Sequence, residues 1–420
     1  MPKFRDVLIM QKREIENLDQ KPYVPRDVVL KELDKDIIKV IIGPRRAGKS
    51  FFAIHELKKA GPFGYVNFDD EGLVGIDNYN DLSETLNSLY NHPKILFLDE
   101  IQNLPKWELF VNRLQRQGYN LVLTGSNSNL LSSELATHLT GRYVSTLVFP
   151  FSFKEYSSYY QNTGPATSSE TKSRLHDYMV KGGYPEPLVK GLDYNEYLRT
   201  LHDAILFKDI VKRHNIRSFR PLGDLSRYLV YSSTNLISSR TLTGLTGLKS
   251  AASITRYIDF LEEAFLFFKV TAFSYKYKEQ VKAAKKIYTI DNGFIGARAF
   301  KFSGNIGPLY ENLVAVELKR RELMGELEFF YYKNKLGYEV DFVVKRGLDI
   351  AGLIQVCYDV TDERTKNREV RALLHAARDM HCRNLTVITG DYEGMETHEW
   401  YGLKENIRFV PLDKWLLGAD

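Results

Sequence analysis

Eight consecutive residues, Gly43-Pro44-Arg45-Arg46-Ala47-Gly48-Lys49-Ser50, carry the spacing G-x-x-x-x-G-K-S. Glycines at the first and sixth positions let a backbone turn tightly and aim its N–H groups at an anion. A helix starting at the end of such a loop adds its positive N-terminus to the same anion. The lysine then suits the β- and γ-phosphate oxygens of a nucleotide, and the serine hydroxyl suits a Mg2+ ion. The expected ligands are ATP or ADP with Mg2+. The loop residues expected to hold them are Gly43, Pro44, Arg45, Arg46, Ala47, Gly48, Lys49 and Ser50, with Phe51 following.

Such a site needs acids, and Asp99-Glu100 closes the apolar run Ile95-Leu96-Phe97-Leu98. Ligands bind at the carboxyl ends of buried parallel strands, which would bring both acids to the phosphates. Asp99 is expected to ligate the metal with Ser50, and Glu100 to orient and deprotonate the attacking water. A third apolar run, 120–124, leads into Gly125-Ser126-Asn127. Ser126 or Asn127 there either bonds the γ-phosphate or the water, or caps a helix. Arg142 precedes a further strand and either stabilises phosphoryl charge, in cis or in trans, or forms a surface ion pair. A role in trans would imply a ring or dimer. Asp69 is a further acid at a strand end, open to metal-bound water or to solvent alone.

These residues must be held by a sheet. Residues 37–42 form a β-branched, nearly continuous apolar run, the signature of a strand buried on both faces. The loop follows it directly, and 51–57 reads as helix. Further strands are expected at 65–71, 94–99, 120–124 and 143–149. The fold class is α/β, a parallel P-loop sheet with helices on both sides.

The chain has 420 residues, 44% hydrophobic and 26% charged, a globular composition long enough for two to four domains. The net charge of +5 admits a polyanionic partner only through a local basic patch. Two cysteines, Cys357 and Cys382, cannot build a disulfide framework or a four-thiolate zinc site. Residues 1–30 are rich in charge, and no stretch reaches the roughly 18 apolar residues of a membrane span. A cytoplasmic protein without a membrane segment is expected.

The strings GPRRAGKS (43–50), ILFLDE (95–100), LTGSNS (123–128), LTGR (139–142), PFSFKEY (150–156) and KGGYPEP (181–187) occur together. With them the chain resembles the AAA+-like P-loop ATPases of archaea and bacteria that carry a nuclease-like C-terminal domain of unknown function. The resemblance spans nearly the whole chain, and the last four strings are more specific than the first two. It implies an AAA+-like core over 1–150 and a helical lid over 151–220. The lid would hold 152–160, a helix at 170–180 and the turn Gly182-Gly183-Tyr184-Pro185. Residues 161–171 read as a surface loop and 196–212 as helix.

Residues 221–295 fit three helices (222–232, 239–246, 250–264) and a hairpin (266–273 with 286–290) whose tip is 275–282. This is the layout of a winged helix. The third helix exposes Ser253, Thr255, Arg256, Asp259 and Glu262, and two acids are poor partners for a polyanion. The wing offers Lys276, Lys278, Lys282, Lys285 and Lys286 among tyrosines, suited to phosphate contacts that add affinity with little sequence preference. DNA contact through Arg256, Lys276, Lys278 and Lys282 stands beside a protein-binding or structural role.

Residues 296–420 read as a helix (309–323) with Glu311, strands at 327–332, 338–344 and 353–357, a helix at 365–379 and a strand at 384–389. The order resembles the PD-(D/E)xK nuclease fold, with Glu311 and Asp341 at acidic metal-ligand positions. The E-x-K positions read Gln355 and Cys357, a neutral amide and a thiol. A hard cation wants carboxylates, and a thiol cannot replace an ammonium. Lys345 and Asp349 are the nearest replacements, and nothing requires them. The favoured reading is an ATP-hydrolysing switch or motor that acts on DNA through non-cutting arms. The alternatives are an ATP-dependent nuclease and a regulatory ATPase that recognises a protein.

Overall fold

The computed structural model describes residues 4–418 except 21, 77, 127–138, 140, 161–163, 165, 249 and 299–305. The chain forms two units, Met1–Phe151 with Leu188–Lys190 and Glu263–Phe265, and the remainder.

In the first unit the apolar runs become five parallel strands: β1 (Ile38–Ile42), β2 (Phe63–Asn67), β3 (Ile95–Asp99), β4 (Asn120–Gly125) and β5 (Tyr143–Leu147). Their order is β2-β3-β4-β1-β5. The helices are α1 (Arg5–Glu16), α2 (Lys49–Ala60), α3 (Tyr79–Tyr90) and α4 (Trp107–Arg116). Strand alternation splits the core. Ile38, Val40 and Ile42 pack with Leu82 and Leu86 of α3 and Phe110, Val111 and Leu114 of α4. Ile41, Phe97 and Val122 pack with Phe52, Ala53 and Leu57 of α2 on the opposite face. The free edge of β2 is closed by a side chain: Gln11 of α1 donates to the Asn67 carbonyl (3.1 Å) and accepts from the Asn67 N–H (3.0 Å). That amide satisfies backbone groups that would otherwise invite another strand.

The second unit opens with α5 (Phe153–Ser158) and α6 (Ser168–Lys181), each begun by a capping box, Ser152 with Glu155 and Thr167 with Glu170. Then come α7 (Pro185–Lys190), whose Leu188–Lys190 count with the first unit, and α8 (Tyr194–Ala204), which runs into a π-helical segment, Ile205–Val211. The Gly-Gly-Tyr-Pro turn is moulded on a buried acid. Asp291 accepts from the Gly183 and Gly293 N–H groups, both at 2.8 Å. Gly182 has φ +78°, and a Cβ there would lie 1.8 Å from Asp291 Oδ1, so only glycine fits.

Next follow α9 (Phe219–Tyr231), β6 (Leu236–Ile237), α10 (Ser239–Thr246), α11 (Ala251–Glu263), β7 (Phe267–Val270), α12 (Tyr277–Lys282) and β8 (Lys285–Thr289). The strands form an antiparallel sheet in the order β6-β8-β7. Two features differ from the sequence reading. The segment expected as an open hairpin tip holds a turn of helix, α12, and a short strand, β6, joins the hairpin.

After α13 (Asn292–Arg298) and α14 (Gly307–Leu323) come β9 (Glu328–Lys333), β10 (Glu339–Arg346), β11 (Asp349–Val356), α15 (Glu363–Met380), β12 (Leu385–Thr389), β13 (Gly394–Trp400), β14 (Leu403–Pro411) and α16 (Leu412–Leu416). The sheet order is β13-β14-β12-β11-β10-β9. A buried network joins three of these segments to the end of α9: Asn312 pairs both ways with the Thr289 backbone (3.0 Å each) and bonds Asn292 (2.7 Å) and Ser233 (2.8 Å). Among the described residues, no helix is long and apolar enough to cross a membrane.

Burial pushes the Asp291 carboxyl up to about 6, against the two N–H bonds that favour its charged form. A folded-state value above the ordinary carboxyl value of about 4 means that the native state holds this proton more tightly. Its contribution to stability is therefore full below about pH 4 and lost as pH rises through about 6. The melting-temperature gap between the parent chain and Asp291→Asn should be larger at pH 4 than at pH 7. A gap that widens with pH would contradict the assignment.

Candidate functional site

The carboxyl end of β1 delivers the chain into the glycine loop under tight steric control. Gly43 sits at φ +151°, and a Cβ there would lie 2.0 Å from the Val148 carbonyl oxygen. The closeness follows from pairing, because the Val148 N–H donates to the Ile42 carbonyl at 2.8 Å. The Ala47 N–H turns back to the Pro44 carbonyl (3.2 Å), and Gly48, left-handed at φ 92°, caps α2. Arg26 clamps the loop from outside, donating to the carbonyls of Ala47 (2.9 Å) and Phe149, with its guanidinium 5.0 Å from the Phe151 ring centre. The Lys49 ammonium is buried and donates to the carbonyls of Gly43 (3.1 Å) and Pro44 (2.9 Å).

Asp99 lies at the tip of β3, 2% exposed. Its Oδ1 accepts from Ser50 Oγ (2.9 Å) and Thr124 Oγ1, and its Oδ2 accepts from the Tyr65 hydroxyl (3.0 Å). Burial, and then the neighbouring Glu100, push this carboxyl up to about 6, against three hydroxyl donors that favour its charged form. The Glu100 backbone is left-handed at φ 50°. Its N–H donates to Thr124 Oγ1 (2.9 Å), and its carboxylate accepts from the Gln102 amide.

The fold brings Gly43–Ser50, Asp99, Glu100 and Ser126 to one edge of the sheet. Ser126, 3% exposed, follows Gly125, which pairs with Ile42. Arg45 stands 4.0 Å from Asp69, which also meets Asn103 at 3.4 Å. Phe51 is half-buried near His55, which stacks on Tyr23 at 3.7 Å. Asn127 lies outside the described residues. Arg142 requires a correction. Ile38 pairs with Tyr143 and Ile42 with Leu147 in parallel register, so Arg142 is exposed at the opposite end of the sheet from the loop. A strand of five residues spans about 16 Å. That excludes a role in cis and leaves the surface ion pair or a role across a subunit boundary.

Thr124, Tyr65 and Arg26 were not anticipated. Thr124 was legible in principle: it is the polar end of an apolar strand beside the one ending in Asp99. Tyr65 and Arg26 carry no local signal.

In the second unit, Arg256 is exposed, 5.3 Å from the Phe260 ring, and Lys276, Lys278 and Lys282 are exposed on or beside α12. Asp259 and Glu262 share Lys269, Asp259 at 2.7 Å, so one of their two charges is offset within the fold. Lys286 also requires a correction. It is 4% exposed and faces carboxylates, so it is not a surface lysine of the wing. Lys345 pairs with Glu328 (2.7 Å), and Asp349 is exposed at the start of β11, so neither replaces a nuclease residue.

A parallel sheet with a glycine loop after β1 and paired acids after β3 defines a P-loop protein. The AAA domain family matches residues 35–157, and two domains of unknown function, DUF8612 and DUF4143, match 172–303 and 306–415. An uncharacterized protein of Methanocaldococcus jannaschii is 36% identical over 413 residues, covering 94% of this chain and 91% of its own length. An uncharacterized protein of Haemophilus influenzae is 31% identical over 401 residues, covering 89% and 94%. The chain belongs to this family, built on an AAA+-like P-loop ATPase domain followed by a C-terminal domain of unknown function. Among solved structures it is similar to a Walker-type ATPase of Pyrococcus abyssi (14% identity, 68% of this chain, 95% of that one, TM-score 0.42). It is also similar to AMPPCP-bound DnaA from Aquifex aeolicus (15%, 60% and 87%, TM-score 0.22).

Replacing Gly43 by alanine forces the Val148 carbonyl aside at a cost of about 1–3 kcal/mol. Gly43→Ala should lower the melting temperature and weaken binding of a fluorescent ATP analogue together. Unchanged values of both would show that the close approach does not shape the loop.

Proposed function

We propose that the chain hydrolyses ATP at the glycine loop and uses the nucleotide state to control an arm that binds DNA without cutting it. The observation that carries the first half is the convergence of Lys49, Ser50, Asp99, Thr124 and Glu100 at the carboxyl edge of one sheet. Backbone N–H groups of residues 43–48 cradle the phosphates, and Lys49 leaves the Gly43 and Pro44 carbonyls for the terminal phosphate oxygens. Ser50 and Asp99 fit a hard cation, being an unblocked hydroxyl and a carboxylate already 2.9 Å apart. A Mg2+ bound there would neutralise charge on the transferred phosphoryl group. Glu100, fixed through its N–H to Thr124, orients and deprotonates the attacking water, and Ser126 is placed for the same water or for the γ-phosphate.

The second half rests on the segment 219–289. Its order, helix, strand, two helices, strand, short helix and strand, supports a winged helix with α11 as recognition helix. Arg256, Lys276, Lys278 and Lys282 are its exposed basic residues, with Tyr275 and Tyr277 exposed beside the lysines. Pairing with Lys269 offsets one of the two charges of Asp259 and Glu262 that would repel phosphates. The alternative, recognition of a protein, predicts no response to DNA.

Lys49→Ala should abolish ATP binding or turnover, and Glu100→Gln should bind ATP and cut turnover by at least about 100-fold. Normal turnover in both would sink the site. Single- or double-stranded DNA should stimulate hydrolysis. Each of Lys276, Lys278 and Lys282 replaced by alanine should reduce the slope of log affinity against log salt by about one. Turnover and DNA mobility that never respond to one another would favour a protein partner.

A further inference from the structure

The C-terminal sheet and helix α14 carry the acids of a nuclease-like centre, but the geometry around them does not fit a metal ion. Glu311 of α14 and Glu339 and Asp341 of β10 converge on one cation, the Lys286 ammonium of β8, at 3.0, 2.8 and 3.4 Å. The Tyr288 hydroxyl donates to the same oxygen of Glu311 at 2.7 Å. Asp341 Oδ2 is engaged by the Val356 N–H at 3.0 Å. The two positions that should supply a further carboxylate and a lysine are turned elsewhere. Gln355 accepts from the Asp341 N–H (3.2 Å) and donates to Glu369 (2.6 Å). Cys357 donates to the Asp359 carbonyl at 3.3 Å.

Charge decides how firmly Lys286 is held. Three carboxylates within 3.4 Å offset the cost of burying its charge. With Lys333 on the outer oxygen of Glu339 (3.0 Å), three carboxylates face two ammonium groups, leaving one formal negative charge. Removing Lys286 would leave two, mostly buried, a cost of several kcal/mol unless another cation enters. Three convergent carboxylates are the oxygen donors that Mg2+ and Mn2+ prefer.

We propose that Lys286 is the resident cation of this centre: its ammonium holds the place of a divalent metal, closes the nuclease-like domain to metal-dependent cleavage, and fastens the β7–β8 hairpin to the C-terminal sheet. The proposal rests on the carboxylate geometry and is independent of whether the first unit hydrolyses ATP.

The test is Mn2+ binding to the full chain without nucleotide, read by loss of the free-ion electron paramagnetic signal and by thermal melting. The parent chain and Asp341→Asn should bind the same number of ions. Lys286→Met should gain one Mn2+ and be stabilised by it, and adding Asp341→Asn to Lys286→Met should abolish both effects. Should Lys286→Met be insoluble without metal, its recovery on refolding with Mn2+ carries the same conclusion. The proposal is overturned if the parent chain binds an ion that Asp341→Asn loses. It is equally overturned if Lys286→Met gains no ion, or if it is lost with and without Mn2+.

Discussion

The first unit depends on the burial of one carboxylate. Asp99 is held by hydroxyls from three other elements, Ser50 of α2, Tyr65 of β2 and Thr124 of β4. A carboxylate in that position is costly unless its oxygens are paired. Pairing it requires β2, β3 and β4 to end level with one another and α2 to start beside them. The strand order β2-β3-β4-β1-β5 meets that requirement, with the glycine loop placed on the same edge by β1. Register and chemistry are one constraint here, since slipping β4 by a residue would turn Thr124 to the other face of the sheet.

Local signals made the loop legible, along with the strands that frame it. Glycine spacing and β-branched apolar runs act over a few residues, so sequence alone gives Gly43–Ser50 and Asp99–Glu100. The rest depends on what lies across the sheet. Arg142 looked placed for catalysis because it sits in a glycine turn before a strand, and only the parallel register with β1 shows that the turn is at the far end. Lys286 looked like one wing lysine among several, since a stretch of lysines carries no mark of which one is buried. Helix α3 is marked in the sequence by Leu82, Leu86 and Leu89 at helical spacing. Strand β13 has the sequence GMETHEW, whose inner face is only half-buried, so its apolar alternation is too weak to register.

Motif strings in the second unit gain a physical meaning from their contacts. Gly182-Gly183 and Asp291-Asn292-Gly293 are far apart in sequence and form one joint, with the Asp291 carboxylate between two backbone N–H groups. Glu311 and Asn312 are neighbours with opposite tasks. Asn312 faces the buried backbone of β8, while Glu311 faces Lys286 from the same strand. These strings combine glycine with polar residues because backbones meet closely there and every buried polar group needs a partner. Such a pattern in the sequence resembles a ligand site, and here it is explained by packing.

Two acidic centres in one chain thus balance their charge in opposite ways. Around Asp99 the partners are neutral hydroxyls, and the nearby ammonium of Lys49 rests on two backbone carbonyls, contacts that are readily exchanged for charged ones. Around Asp341 the cation belongs to the chain itself, fixed by three carboxylates and by the strand that bears it. A carboxylate cluster facing neutral donors has room for cation-dependent chemistry, whereas one that already holds an ammonium spends its attraction on the fold. The number of acids is similar in the two centres. What separates the two centres is that only the one around Asp341 receives an ammonium from the chain among its side-chain partners.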